Sequence, residues 1–387
     1  MLLPSAHPVL NAFADSCLYL KSGGFEDTLA QIASYAAGND ESRLIFAYGY
    51  DEDILNDKEP EQTRACLDEI SRDRPVVILG KSGNHCWFNS LALETVKAAA
   101  AEDGIPTVSL QYLLSVLEPF DFDIMPERLP ADMGKYCERG FTSVFDCGAP
   151  DFFASVYQSI LVNIFQENMI KQRFYGSLLV NCDVSPVPVI RRLAQYRTNC
   201  VELDKLVNFN TLKLVVDRTS DKPPLSNETM RELCMEAGDK GFDIHIDAIG
   251  KNAVFEAIEA LEAVRAAGYK KSSFTIAHGE TFAPEELADT NFRQDIRESP
   301  GTLGKQALDM LTIDAAIQLG VNNEYGSIEK GKHADFAIFN ENPLDADDLS
   351  VFRSLKAVMT VIEGQIVYDA ENDDRAQWHS ILTSPQD

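Results

Sequence analysis

Short runs of β-branched and aromatic residues alternate with amphipathic, helix-like stretches along most of this chain. That alternation limits its fold more than any other feature. The runs are 43–48, 75–79, 142–145, 175–180, 212–216, 242–246 and 274–277. Strands separated by helices pair in parallel, because the crossover returns the chain to the same end of the sheet. The clearest predicted helix spans 252–267, where Val254, Ile258, Leu261 and Val264 recur at three- and four-residue steps before Gly268. Ser226 is placed to cap a second helix running to Ala237, and a third is predicted over 307–319 before Gly320. A chain of 387 residues suits one large α/β barrel with additions, or two or three domains. In any parallel sheet the reactive groups gather at the carboxyl ends of the strands.

The tail has a different character. Runs at 336–339, 358–362 and 365–368, the last two joined through Glu363-Gly364, read as a hairpin and its neighbour. A small β-rich subdomain is expected at about 321–370, its strands forming a sheet of their own.

Charge excludes one class of partner. With 34 Lys and Arg against 61 Asp and Glu, the net charge is −27, and no basic face for a phosphate backbone is present. No apolar stretch reaches the roughly 20 residues of a membrane span. Met1–Leu10 lacks the basic start of a secretory signal. Eight cysteines without a Cys-x-x-Cys pair read as reduced thiols of a cytoplasmic protein and exclude a cysteine metal knuckle.

Only six histidines are present: His7, His85, His245, His278, His333 and His379. His278 ends the strand Phe274–Ala277. His245 and Asp247 are two apart, so strand alternation puts them on one face. Histidine and carboxylate from separate strands meeting at one rim build a divalent-metal site. A histidine at a strand end serves equally as a hydrogen-bonded structural residue, so the pattern by itself leaves both readings open.

Seven segments, in order, resemble the metal-dependent amidohydrolase superfamily, in the branch that contains N-substituted formamide deformylase. They are 83–93 (Gly-Asn-His-Cys-Trp-Phe-Asn-Ser-Leu-Ala-Leu), 140–146, 212–217 (Leu-Lys-Leu-Val-Val-Asp), 245–254 (His-Ile-Asp-Ala-Ile-Gly-Lys-Asn-Ala-Val), 276–279, 311–316 and 326–335 (Gly-Ser-Ile-Glu-Lys-Gly-Lys-His-Ala-Asp). The resemblance implies an α/β fold, a distorted TIM (β/α)8 barrel with a small β-sandwich subdomain. It places the barrel at 1–320, with a branch-specific insertion at about 40–135, and part of the sandwich with the tail at 321–387. It implies hydrolysis of a small amide-type substrate, at a carbon–nitrogen bond other than a peptide bond, by water activated at a divalent metal, zinc foremost. It also implies a homodimer.

Carried over residue by residue, the resemblance gives the metal to His7, Lys213, Asp247 and His278, with Lys213 and Asp247 catalytic. His85, Trp87 and Asn89 would face the substrate, and His333 would be structural. The departures are specific. The usual His-x-His reads Ser5-Ala6-His7, Asp247 stands where the family has histidine, Lys251 stands at an aspartate position, and the last-strand Asp has no counterpart. About 30 residues separate His278 from the helix at Ala307, barely one βαβ unit. Either the chain is a degenerate member or segments of a longer chain are omitted. Omitted segments are the favoured expectation, because an unclosed barrel would bare its strand edges. Ser5 and Asp247 also keep open a non-catalytic homologue that binds a ligand or partner.

Overall fold

The computed structural model describes residues 1–6, 8–9, 12, 17–39, 42–80, 85–102, 113, 116–117, 124–148, 154–203, 206–219, 225–278, 301–344, 346 and 350–372. The chain divides into two compact units, Met1–Pro8 with Leu129–Asp387, and Val9–Arg128. The second unit overlaps most of the insertion expected at about 40–135. The tail strands fall within the first unit.

In chain order, β1 (Leu2–Ala6) opens the first unit. The inserted unit contains β2 (Leu18–Tyr19), α1 (Phe25–Gly38), β3 (Ile45–Tyr50), α2 (Pro60–Ile70), β4 (Val76–Gly80), β5 (Cys86–Phe88) and α3 (Ser90–Glu102). Its sheet runs β2-β3-β4-β5, parallel except for the last pair. Ile32, Ile45, Leu67, Val76, Ile78 and Trp87 are buried at its centre.

After α4 (Met125–Cys137) come β6 (Ser143–Asp146), α5 (Ala154–Gln166), β7 (Arg173–Val180), α6 (Pro186–Asn199), β8 (Val207–Asp217), α7 (Asn227–Asp239), β9 (Asp243–Ile249), α8 (Lys251–Ala266) and β10 (Phe274–Ala277). The sheet order is β1-β6-β7-β8-β9-β10, and every pairing is parallel. Ser226 caps α7 as expected, its side chain accepting from the Thr229 amide.

The sheet is curled. In a flat one, β6 and β9 would stand three strand spacings, roughly 14 Å, apart. Yet the rings of Phe145 on β6 and His245 on β9 stack with centroids 5.4 Å apart. Polarity more than burial separates the two faces of β8 and β9. Leu212, Leu214 and Val216 alternate with Thr211, Lys213 and Val215. Ile244, Ile246 and Ala248 alternate with Asp243, His245 and Asp247. The six apolar residues are fully buried, and α6, α7 and α8 pack on these strands. The other set lines the concave face. A parallel strand covered by apolar layers on both faces would read as a continuous hydrophobic run; the alternation here marks a polar interior. Residues 279–300 lie outside the described residues.

Beyond them, α9 (Leu303–Met310) and α10 (Ile313–Gln318) replace the single helix expected over 307–319. Thr302 caps α9, its Oγ1 accepting from the Lys305 amide, so the helix starts earlier. Thr312 Oγ1 bonds back to the Leu308 carbonyl at 2.5 Å, a contact that competes with the helical ladder where the two helices part.

The tail gives β11 (Phe336–Phe339), α11 (Val351–Ser354), β12 (Ala357–Ile362) and β13 (Gln365–Asp369). The three strands form an antiparallel sheet of their own, β11-β12-β13. Ile362 pairs with Gln365 across a two-residue turn in which Glu363 and Gly364 both have positive φ, 52° and 77°. That left-handed pair matches strand twist. No helix among the described residues is long and apolar enough to cross a membrane.

One ion-pair cluster fastens the tail to the start of β7. Arg173, 1% exposed, bonds Asp335 and Glu363, and its guanidinium lies 4.2 Å over the Tyr325 ring. His333 joins through Glu363 at 2.8 Å and stacks on Tyr325. This gives His333 the structural place expected of it. Arg173→Met would leave the Asp335 carboxylate, 9% exposed, without its counter-charge. We expect a loss of about 3 kcal/mol, read as a lowered thermal midpoint, with earlier proteolysis of residues 336–369.

Candidate functional site

Lys213 and His245 are register partners on β8 and β9, and Asp247 lies two residues further along β9. The strand repeat therefore points all three to the concave face. Lys213 is 2% exposed, and its Nζ donates to Asp247 Oδ1 at 2.6 Å. An ammonium so far from water is tolerable only with a carboxylate against it. Burial works against ionisation of Asp247, but His245 and the Lys213 ammonium overcome it and hold the carboxyl at about 2. Asp247 is thus a carboxylate throughout the neutral range and a very weak base.

His245 is 2% exposed, its ring stacked on Phe145 with 23° between planes. Its Nε2 stands 3.5 Å from Asp247 Oδ1, too far for a good hydrogen bond. Neither ring nitrogen has a hydrogen-bond partner among the described residues. Burial pushes the imidazole below its ordinary range, and nearby Lys213 adds to that push against the pull of Asp247.

His278 directly follows β10. Ala277 pairs with Asp247, so the residue after the strand end arrives beside that carboxylate. Its Nε2 lies 3.7 Å from Asp247 Oδ2, and its side chain is 52% exposed. It takes a left-handed conformation, φ 62°, that few non-glycine residues adopt and that clusters at functional positions. His7 lies outside the described residues. The strand leading to it, β1, pairs in parallel with β6, Ala6 opposite Asp146.

Asp247 and His278 approach as two ligands of one cation would. Oxygen and nitrogen ligands at about 2.1 Å from a tetrahedral zinc stand roughly 3.4 Å apart, close to the observed 3.7 Å. Carboxylate and imidazole are suitable donors, so this pair fits a divalent metal. Among the described residues no three His, Cys, Asp or Glu side chains form a ligand group on their own. Lys213 can join only after losing its proton.

The three residues expected at the substrate belong to the inserted unit. Trp87, 3% exposed, stacks on Phe25 and meets Tyr50 edge-on, and its Nε1 donates to the Thr63 carbonyl at 3.0 Å. Asn89 is fully buried. Its Oδ1 accepts from the Val76 and Ala92 amides, and its Nδ2 donates to the Ser71 and Arg74 carbonyls. Both therefore hold together this unit's own packing, while His85 is exposed. His245 is the residue the sequence reading leaves out of its ligand set. The signal for it is the His-x-Asp spacing, which places it on the Asp247 face.

The Amidohydrolase family pattern matches residues 17–295 and 302–368. Among solved structures, an uncharacterized metal-dependent hydrolase from Pyrococcus furiosus aligns at 15% identity with a TM-score of 0.50, covering 88% of this chain and 86% of that one. Phenylurea hydrolase B aligns at 15% identity and 0.40, covering 73% and 83%. E. coli guanine deaminase aligns at 14% and 0.37, covering 64% and 75%. At such identities a likeness speaks for fold alone. A comparison with curated proteins gives no match.

Asp247→Asn would leave the buried Lys213 ammonium unpaired. We expect a destabilisation of about 3–5 kcal/mol near pH 7, partly recovered in the Lys213→Met/Asp247→Asn double variant. A carboxyl lowered from 3.8 to about 2 stabilises the fold above pH 4 and stops doing so as pH falls through 2. The gap between wild type and Asp247→Asn should therefore close over that window in unfolding titrations.

Proposed function

The chain belongs to the amidohydrolase family, hydrolases of carbon–nitrogen bonds other than peptide bonds, and from that premise we propose a metal-dependent hydrolase of a small amide-type substrate. We read the curled sheet as the first six strands of a distorted (β/α)8 barrel, and the tail sheet as part of its small β-sandwich. The branch is the one resembling N-substituted formamide deformylase.

The observation that carries this reading is the carboxylate of Asp247 on the concave face, with Lys213 on one oxygen and His278 facing the other. His7, Lys213, Asp247 and His278 would hold the cation, zinc by preference. Bound there, it would supply a Lewis acid that polarises the substrate carbonyl and lowers the pKa of water. Asp247 contributes fixed negative charge, since a carboxyl held at about 2 takes no proton at neutral pH. Lys213 would act as a ligand only as its carbamate, which turns a cation into an anion; as the ammonium it neutralises Asp247. His278, set by its strand and held left-handed, presents an imidazole at the exposed rim.

One observation favours the second reading, a ligand-binding homologue without catalysis. The Lys213 ammonium already satisfies one oxygen of Asp247. Metal content of the purified full chain separates the two. The hydrolase reading expects near-stoichiometric zinc and turnover of small amide-type compounds. It also expects loss of metal in His278→Ala and full metal in His85→Ala. A chain that takes up no divalent metal, or a His278→Ala variant that keeps it, would contradict the hydrolase.

A further inference from the structure

We propose that helix α10 positions the concave-face site from behind: Leu319, acting through Phe145, fixes the His245 ring beside the Asp247 carboxylate. This rests on the reading of Asp247 given above and adds to it an element that lies outside the parallel sheet.

Phe145 points into the concave face, since its ring stacks on that of His245. Tyr175 is its register partner on β7 and shares that face. Both belong to one buried cluster with Ala315 and Leu319, which are 2% and 9% exposed, and Val321 packs against it. The same helix packs on β1, the edge strand next to β6. The inner face of β6 and β7 therefore carries a helix, and the Phe145 ring belongs both to that helix cluster and to the His245 stack.

On its other side α10 is held by the turn that follows it. Gly326, at φ 91°, crosses the helix so closely that a Cβ there would stand 2.7 Å from Ala316 Cβ and 2.9 Å from Ile313 Cα. The Val321 carbonyl accepts from the Tyr325 amide at 3.0 Å, and the Tyr325 ring stacks on His333 beneath the Arg173 guanidinium. The stretch 315–325 thus runs from the Phe145 cluster to the ion pairs that fasten the tail sheet.

The outer torsion of a histidine side chain has a broad profile, so its ring plane is set by what packs against it. For His245 that neighbour is Phe145, 23° from parallel. The ring holds Nε2 3.5 Å from Asp247 Oδ1, a separation that a modest tilt would change. Interiors are close-packed and pass displacements on, because few voids exist to absorb them. Truncating Leu319 to alanine would leave a void in the cluster, let Phe145 tilt into it and free the His245 ring. Methionine conserves the volume and should restore the support.

The test compares the full chain with Leu319→Ala and Leu319→Met. Leu67→Ala, at a fully buried leucine of the inserted unit, controls for lost stability alone. NMR of chains with labelled histidine and phenylalanine rings reads the orientation, and chelator competition reads the affinity for Zn2+. In the wild type, which needs no variant to fold, cross-relaxation should link His245 to Phe145 and Phe145 to the methyls of Ala315 and Leu319. Leu319→Ala should shift the His245 ring resonances and weaken zinc binding about 10-fold, the lower end of what losing a group that supports a ligand costs. Leu319→Met should restore both, and Leu67→Ala should change neither. A wild type without cross-relaxation from Phe145 to α10 would overturn the proposal and leave the metal reading standing. So would a folded Leu319→Ala that keeps either the wild-type His245 resonances or the wild-type zinc affinity, and so would equal changes in Leu67→Ala. A wild-type chain that binds no zinc would overturn both this inference and the reading beneath it.

Discussion

A lysine ammonium inside a parallel sheet must have a counter-charge, and Lys213 obtains it from Asp247 at 2.6 Å. Leaving such a charge unpaired costs about 3–5 kcal/mol, against the 5–15 kcal/mol that holds a typical domain together. The pair ties β8 to β9 and selects the register in which Lys213 faces His245. It also sets the chemistry of the concave face. Against the cost of burial, His245 and the Lys213 ammonium hold Asp247 at about 2, so this carboxylate attracts cations well and protons poorly. A group of that character is suited to holding a metal and unsuited to general-base work at neutral pH.

Two ion-pair clusters of the first unit are built on almost fully buried cations. Arg173, at the start of β7, binds Asp335 and Glu363 and joins the tail sheet to the parallel sheet. The Lys213 cluster lies towards the carboxyl ends of β8 and β9, with His278 just past the end of β10. The opposite face of β8 and β9 carries fully buried apolar residues such as Leu212, Leu214 and Ile244. This is the division parallel sheets commonly use, stability at the amino ends of the strands and chemistry at the carboxyl ends. The segment 326–335 is long and polar because it must deliver Asp335 and His333 to the Arg173 cluster.

Much of this could be read from the residues. The two-residue alternation in Leu212–Val216 and Phe242–Ile246 announces strands with one polar face, and it locates Lys213, His245 and Asp247 together. Ser226 announces the start of α7, and Glu363-Gly364 announces the hairpin. What could not be read depends on contacts between distant segments. Trp87 and Asn89 look like pocket residues in a loop. Their burial comes from Phe25, Thr63 and Ser71, which no local pattern links to them. The division between α9 and α10 coincides with one hydroxyl, Thr312, bonding backward within an otherwise continuous helical pattern. That His245 stacks on Phe145 follows from the curl of the sheet, which brings β6 and β9 together.

The most direct measurement is anomalous diffraction at the zinc edge from crystals of the full chain grown with zinc. A metal held by this concave face predicts a peak about 2.1 Å from the Asp247 carboxylate and the His278 imidazole, with Lys213 displaced from its 2.6 Å contact or carbamylated. Zinc-saturated crystals with no peak at Asp247, and Lys213 still hydrogen-bonded to it, would contradict a metal site there.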